Sequence, residues 1–293
     1  MEKGILLVNK DINMTSHDVV NIVRRSCSMK RVGHTGTLDP MVKGVLPICI
    51  GKATRVSEFI MEQGKSYRGE LTFGRSTTTY DAYGEETGLS DKKFFSKEEI
   101  LEVFSKFEGE IEQVPPMYSA IKQDGKKLYD LARQGIEVER KKRLVTIYKL
   151  DVLEVKDDKV EFLVHCSKGT YIRSLVVDIA KELNTLAYMS HLERVSVGRF
   201  NLEDTIDIND IKTMDKEEIF ARLIPIEDSL YNLEEIRMDK ELKNRLLNGQ
   251  KINLSAFDKE EANREFIKVF SNDEFLGIGS IKKNILKMER VLY

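Results

Sequence analysis

Apolar residues recur at intervals of three and four along parts of the chain, which is the period of an amphipathic helix. The stretch SKEEILEVFSKFEGEI shows this spacing and begins with Ser96 followed three residues later by Glu99, the arrangement of a capping box. TSHDVVNIVRRSC opens with a Thr/Ser cap and is a second predicted helix. In TYIRSLVVDIAKEL one helical face collects Ile172, Leu175, Val176, Ile179, Ala180 and Leu183.

Short apolar runs with strand-like composition lie between these helices. They are GILLVNK, GVLPICIG, KSYRGELTFG and the pair LVTIYKLDVLEVKDDKVEFLVHCSKG, in which KDDK joins two antiparallel strands. The hydroxyl-rich STTTYDAYGEE has the composition of a turn. Beyond residue 232 the chain continues in short strand-like pieces with Asn-Gly and Asn-Asp turns, namely LLNGQKI, REFIKVFSNDEFLGIGSIKKN and KMERVLY.

These elements predict an α+β fold. We expect a mixed, mostly antiparallel sheet flanked by helices over residues 1–232, and a small β-barrel-like domain over residues 233–293. A chain of 293 residues is long for one core, which agrees with one large and one small domain.

Charge is nearly balanced over the whole chain, with a formal net charge of −2. That balance argues against a general nucleic-acid coat protein. Local patches are nevertheless present. Residues 114–147 carry eight basic and four acidic side chains, whereas residues 214–240 carry four basic and eight acidic ones.

The three cysteines, Cys27, Cys49 and Cys166, are scattered and form no CxxC motif, so we expect reduced thiols. The four histidines lack metal-ligand spacing, and we expect no metal site. Nothing near the N-terminus is typical of a signal peptide, and no apolar run approaches the roughly 20 residues that span a bilayer. The expected compartment is the cytoplasm, with no membrane association.

Nucleotide-cofactor motifs are not matched. GKAT at residues 51–54 lacks the spacing of a P-loop, and GIG at residues 277–279 lacks the third glycine of a dinucleotide fingerprint. Both stretches are interpreted as structural.

The segment GHTGTLDPMVKG, residues 33–44, concentrates glycines around one carboxylate. Pro40 favours an extended backbone at Asp39, which would project the side chain from the loop. An ordinary Asp-Pro turn explains the same residues, and residue types alone favour that turn.

Arg173 falls in the first turn of its predicted helix, where the helix dipole disfavours a cation. It therefore calls for a carboxylate or phosphate partner. A facing aspartate would have its pKa lowered by about 1–3 units and would stay ionised as a nucleophile or general base. The alternative is a solvated arginine that extends off the helix end. Tyr67, in KSYRGEL, either stacks on a base or fills the core, and by itself it favours the core.

Basic and aromatic residues alternate through the segment that follows the double proline. Such mixtures suit contacts to an RNA backbone and stacking on bases. The alternative interpretation of this segment is a solvated, charged helix and loop. The residues are Lys122, Lys126, Lys127, Arg133 and Arg140 to Arg143, with Tyr118, Tyr129 and Tyr148.

Taken together, these segments resemble the TruB-type tRNA pseudouridine-55 synthases of bacteria. The resemblance covers nearly the whole chain and continues into LLNGQKI and FLGIGSI, which resemble the PUA RNA-binding domain of that family. Its longest motifs are GHTGTLDP, KSYRGELTFGRSTTTYDAYGE, VPPMYSAIKQDGKKLYDLARQGIEV, CSKGTYIRSL and HLERVSVGRF.

The resemblance implies a role for each motif residue. Asp39 would be the catalytic aspartate, Arg173 its ion-pair partner and Tyr67 a wall against the target base. Four further residues would contact the substrate or line its pocket: His34, which would hold the place of the everted nucleotide, Leu192, Tyr171 and Asp81. In one departure from the family pattern, Asp11 stands where a proline usually follows Lys10, which affects the rigidity of that turn.

The implied reaction breaks the N–C glycosidic bond of uridine, rotates the base and rejoins it through carbon. It needs no metal and no organic cofactor. The implied partner is the T-stem-loop of tRNA, gripped by a thumb over residues 115–143, and a monomer is expected. Two other functions stay open: a non-catalytic tRNA-binding folding chaperone, and a synthase of the same fold acting on another RNA.

Overall fold

The computed structural model describes residues 3–257 and 262–293. Strands dominate the first 207 residues. They are β1 (Gly4–Lys10), β2 (Val32–His34), β3 (Lys43–Ile50), β4 (Lys65–Phe73), β5 (Arg75–Thr77), β6 (Glu86–Leu89), β7 (Gly109–Gln113), β8 (Lys122–Gln123), β9 (Lys126–Lys127), β10 (Arg143–Lys156), β11 (Lys159–Cys166), β12 (Ala187–Val197), β13 (Phe200–Asn201) and β14 (Ile206–Asp207).

The helices of the described ranges are mostly short. They are α1 (Ser16–Ser26), α2 (Ser57–Met61), α3 (Lys97–Ser105), α4 (Leu128–Arg133), α5 (Ile172–Glu182), α6 (Ile208–Ile211), α7 (Lys216–Ala221), α8 (Ile226–Ser229) and α9 (Lys243–Leu247). Short 3₁₀ helices occupy Gly51–Val56, Leu202–Asp204, Lys240–Leu242 and Leu254–Phe257.

Two helix starts follow directly from their capping residues. Thr15 accepts from the Asp18 N–H at 3.1 Å, and the Asp18 carboxylate accepts from the Thr15 N–H at 2.8 Å. Ser96 and Glu99 make the same reciprocal pair at the start of α3. Each pair satisfies two backbone donors that a helix end leaves open. The predicted capping box is confirmed.

The large sheet has ten strands in the order β14-β1-β3-β12-β4-β11-β10-β7, with β2 added to β3 and β13 to β12. The pairs β1–β14 and β3–β12 are parallel, and the other pairs are antiparallel. The prediction of a mixed, mostly antiparallel sheet is confirmed. Part of STTTYDAYGEE is a strand end rather than a turn, because β5 pairs with β6 and the turn is confined to residues 78–85.

Strand β1 is buried on both faces, which explains its unbroken apolar run. Leu6 and Val8 pack into the core that α1, α3 and α5 cover. Ile5 and Leu7 point the other way, into a cluster shared with the C-terminal sheet, where Phe270 is among the contacts.

The C-terminal residues form a separate, curled five-stranded sheet with its own core. Its order is β15-β17-β18-β19-β16, from the strands β15 (Glu235–Met238), β16 (Ile252–Asn253), β17 (Arg264–Ser271), β18 (Glu274–Lys282) and β19 (Ile285–Val291). The predicted strand in LLNGQKI is largely wrong. Leu246 is buried at the end of α9, and Gly249, with a φ of 76°, ends that helix before β16 begins.

Candidate functional site

The loop that carries Asp39 is tied to the N-terminal elements on both sides of the aspartate. Ser16, at the start of α1, accepts from the Leu38 N–H at 2.8 Å and donates to the Leu38 carbonyl at 3.1 Å. The Pro40 carbonyl accepts from the Asn13 N–H at 2.8 Å and from Lys10 Nζ at 3.4 Å. The loop is therefore an anchored turn, and the anchoring fixes where the carboxylate lies.

Arg173, on α5, joins this loop to two other segments, the turn that contains Thr79 and Asp81 and the segment that contains Tyr118. Its guanidinium lies 2.7 Å from the Asp39 carboxylate and 3.5 Å from that of Asp81. It also donates to the carbonyls of Thr79 at 3.0 Å and Tyr118 at 2.8 Å. The partner that the helix-dipole argument required is present in the form of two carboxylates.

The two carboxylates differ in their access to solvent. The Asp39 side chain is 37% exposed, whereas those of Arg173 and Asp81 are 6% and 1% exposed. Asp81 also accepts from the Thr79 hydroxyl at 2.6 Å and from the Tyr83 N–H at 3.0 Å. Asp81 thus contacts the Arg173 guanidinium from the protein interior, while Asp39 contacts it at the cleft.

A cleft of about 560 Å³ opens in front of Asp39. Asp39, Tyr67, Tyr171, Arg173 and Leu192 all line it, so five of the residues predicted for the site meet in one place. Asp81 instead lines a neighbouring cavity of about 320 Å³, which shares Leu192 with the cleft.

His34 lies outside the residues that line the cleft. It ends β2, directly before the lining residue Thr35, and its Nδ1 accepts from the Gly36 N–H at 3.3 Å. Burial, with Arg194 and His17 nearby, lowers the pKa of His34. A neutral imidazole at the rim of the cleft follows from this arrangement.

Tyr67 pairs across the sheet with Arg194, Tyr67 lying on β4 and Arg194 on β12. The Arg194 guanidinium is fully buried and donates to the Val45 carbonyl at 2.7 Å and to the Gly36 carbonyl at 3.3 Å. Burial raises the pKa of Tyr67, so the phenol stays neutral. Tyr67 therefore presents a rigid, uncharged wall to the cleft.

Gly44 allows β3 and β12 to pair at this point. Its φ is 112°, and a Cβ atom there would lie 2.2 Å from the Arg194 carbonyl oxygen. A residue with a side chain would separate the strand that follows the Asp39 loop from the strand that carries Arg194 and Leu192. Glycine is therefore required for the site to close.

The pKa of Asp39 is raised, and the largest cause is desolvation by the protein around the cleft, although part of the side chain is open to it. Arg173 and Lys10 oppose the rise, whereas Asp81 adds to it. The predicted lowering of this pKa is wrong, because desolvation of the carboxylate and the second aspartate outweigh the arginine.

Buried cations around the cleft were missed by the sequence analysis. Lys65 and Arg194 line the cleft, and Lys10 lies beneath the Pro40 carbonyl. Burial lowers the pKa of Lys10 and of Lys65 to about 8. The available signal was a basic residue within or directly beside an apolar strand run, as in GILLVNK.

Three family models match successive parts of the chain. The TruB family pseudouridylate synthase N-terminal domain matches residues 24–172, which is just over half of the chain. The chain belongs to the TruB family of pseudouridylate synthases. The tRNA pseudouridylate synthase B C-terminal domain matches residues 173–231, and the model for the C-terminal part of pseudouridine synthase II TruB matches residues 235–292.

Curated TruB relatives align along almost the full length. The tRNA pseudouridine synthase B of Clostridium tetani is 44% identical over 290 residues, which cover 99% of each chain. That of Geobacillus thermodenitrificans is 46% identical over 265 residues, 88% of each chain. A Cbf5-Nop10-Gar1 complex contains a chain of similar fold, with a TM-score of 0.75 and 25% identity over all of this chain and 85% of that one.

Two further observations concern residues 3–257 and 262–293. Within them, no three His, Cys, Asp or Glu side chains are grouped so as to hold a metal ion. In the same part of the chain, no helix combines the length and apolar character needed to cross a membrane.

Proposed function

We propose that this protein is a cytoplasmic monomer that converts uridine 55 in the T-loop of tRNA to pseudouridine. The observation that carries the proposal is the Asp39–Arg173 ion pair at 2.7 Å, facing a cleft walled by Tyr67 and Leu192. The full-length similarity to proteins named tRNA pseudouridine synthase B supports the choice of tRNA.

The reaction is an isomerisation, so substrate and product contain the same atoms. The N1–C1′ bond of uridine breaks, the base rotates, and a C5–C1′ bond forms. The hydrogen on C5 then leaves to solvent, while N1 ends with a proton. No oxidant or reductant is consumed.

The target base must leave the folded loop to reach Asp39, at a cost of a few kcal/mol. Tyr67 and Leu192 would then enclose the detached base and exclude water, which would otherwise trap the separated pieces. Tyr171 would form the opposite wall beside Arg173. His34, at the rim, would occupy the space that the everted nucleotide leaves in the loop.

Segment 115–143 would grip the RNA. It has a small core of Met117, Leu128 and Leu131, and its lysines stand out from that core. Tyr129 is covered by its own neighbours, since Arg133 lies 5.5 Å from its ring centre and Lys127 hydrogen-bonds its hydroxyl. This segment would therefore act mainly through its cations on phosphates.

Residues 233–293 would be a second, PUA-like RNA-binding domain beside the catalytic domain of residues 1–232.

Tritium release from a T-stem-loop RNA labelled at C5 of uridine tests the function. The assay contains EDTA and no added cofactor. We expect stoichiometric release from RNA with uridine at position 55, and no release from a matched RNA that has cytidine there and labelled uridines elsewhere. Bound RNA without release would favour a folding chaperone. Release from the matched RNA would point to another target.

The pH dependence of the reaction should report the raised pKa of Asp39. Because the carboxylate must be ionised, the single-turnover rate should fall with decreasing pH, with a midpoint above the ordinary aspartate value of about 4. Arg173, Lys10 and Asp81 are the charged groups around Asp39, and Tyr67 and Tyr171 stay neutral there. A rate that stays constant down to pH 4 would contradict the assignment.

A further inference from the structure

Gln113 connects two distant parts of the chain through both ends of its side-chain amide. It is the last residue of β7 and is almost fully buried. Its Oε1 accepts from the Tyr171 N–H at 2.7 Å, and its Nε2 donates to the Tyr171 carbonyl at 3.0 Å. One amide thus pairs with both backbone groups of a single residue that lies 58 positions away.

Tyr171 is the residue directly before α5, and its own side chain makes no capping hydrogen bond there. Its carbonyl accepts the first bond within the helix, from the Leu175 N–H at 3.0 Å. Gln113 accepts from the N–H of this N-cap residue, as the Glu or Gln at the third helical position of a capping box does, and so holds the start of α5 from another part of the chain. Arg173 is the second residue of that helix, so its guanidinium is placed by the same contact.

The next residues along the chain continue this link. The Val114 carbonyl accepts from the Ser174 hydroxyl at 2.8 Å. The Tyr118 carbonyl accepts from Arg173 Nη2, the same nitrogen that contacts Asp39. The chain around the start of segment 115–143 is thus hydrogen-bonded to the first turn of α5. A movement of that segment on RNA would therefore displace Arg173.

We propose that Gln113 is a positioning residue for this reaction, which keeps the first turn of α5, and with it Arg173, in register with Asp39 while segment 115–143 docks on RNA. The inference rests on the proposed function. Gln113 does not line the cleft, and it acts through the backbone of Tyr171.

A buried amide that merely stabilises the fold is the competing explanation, and Gln63 provides a matched control. Gln63 is also buried and does not line the cleft, and its Nε2 donates to the Ser229 carbonyl at 3.0 Å. Gln113→Leu and Gln63→Leu both remove a buried amide while preserving most of its size. Only the first change releases α5.

The test compares single-turnover tritium release with the dissociation constant for the T-stem-loop RNA. For Gln113→Leu we expect the rate to fall about tenfold or more while the dissociation constant changes by less than about threefold. Gln63→Leu should stay within about twofold in both. A Gln113→Leu rate near that of the parent protein, or an equal loss in both variants, would overturn the inference. An inactive parent protein would refute the proposed function instead.

Gln113→Glu tests the two-bond contact even if the leucine variant folds poorly. An ionised glutamate accepts from the Tyr171 N–H but repels its carbonyl, whereas the protonated acid can accept and donate as the amide does. The neighbouring charged groups are Arg143, paired with position 113 across β7 and β10, and Arg173. We expect the rate of this variant relative to the parent to rise as the pH falls. A ratio independent of pH would overturn the two-bond contact.

Discussion

We expect that replacing Asp39 with asparagine will abolish turnover and leave the T-stem-loop RNA bound. The amide has nearly the same shape, and its oxygen can still accept from Arg173 Nη2, so the cleft should keep its form. An amide cannot ionise, and it therefore supplies neither a nucleophile nor a base. We expect the single-turnover rate to fall by at least about 10⁴-fold, as for other essential catalytic groups. The dissociation constant should change by less than about threefold.

The matched control is Asp178→Asn. Asp178 lies on α5 like Arg173, but its carboxylate pairs with Lys181 at the surface, at 2.9 Å. This variant should retain parent activity. An Asp39→Asn protein that turned over within tenfold of the parent, or that lost RNA binding together with turnover, would contradict the catalytic assignment.

Replacing Arg173 with methionine should damage both activity and stability. Asp39 would lose the partner that opposes the rise in its pKa, and the rate should fall by about 10³-fold. Asp81 would be left almost fully buried without its cation. Breaking a buried ion pair from one side costs about 3–5 kcal/mol, and we expect the free energy of unfolding in urea to fall by that amount.

The double variant Arg173→Met with Asp81→Asn separates the two effects. Removing the unpaired charge should restore most of the lost stability, because the buried charge is gone and the amide oxygen still accepts from the Thr79 hydroxyl and the Tyr83 N–H. Turnover should stay as low as in the single variant, since Asp39 still lacks its partner. Recovery of both properties together would mean that Arg173 is needed only for folding.

Local signals in the sequence were sufficient to predict several elements of the fold. The capping boxes at Thr15 and Ser96 determine where α1 and α3 begin, and the KDDK turn predicts the β10–β11 hairpin. From its place in the first helical turn, Arg173 was expected either to have a carboxylate or phosphate partner or to extend into solvent, and the first alternative is the one found. Each of these inferences depends on interactions within a few residues, which a single sequence contains.

Other features depend on segments that meet only in the folded chain. The raised pKa of Asp39 results from burial by several elements and from Asp81, which is 42 positions away in sequence. The contacts of Gln113 with Tyr171 have no local signature, because a glutamine at a strand end is ordinarily solvated. Asn-Gly in LLNGQKI favours a hairpin turn between strands, but the same pair also ends a helix well.

Strand β1 packs into two hydrophobic clusters, which has a practical consequence for protein engineering. Its side chains alternate between the core under α1 and the cluster containing Phe270, so residues of the C-terminal sheet cover one face of β1. A chimera joined at residue 232 would bring a foreign surface against Ile5 and Leu7. Exchanging the C-terminal sheet between family members would therefore require grafting the facing residues of β1 and β3 together with it.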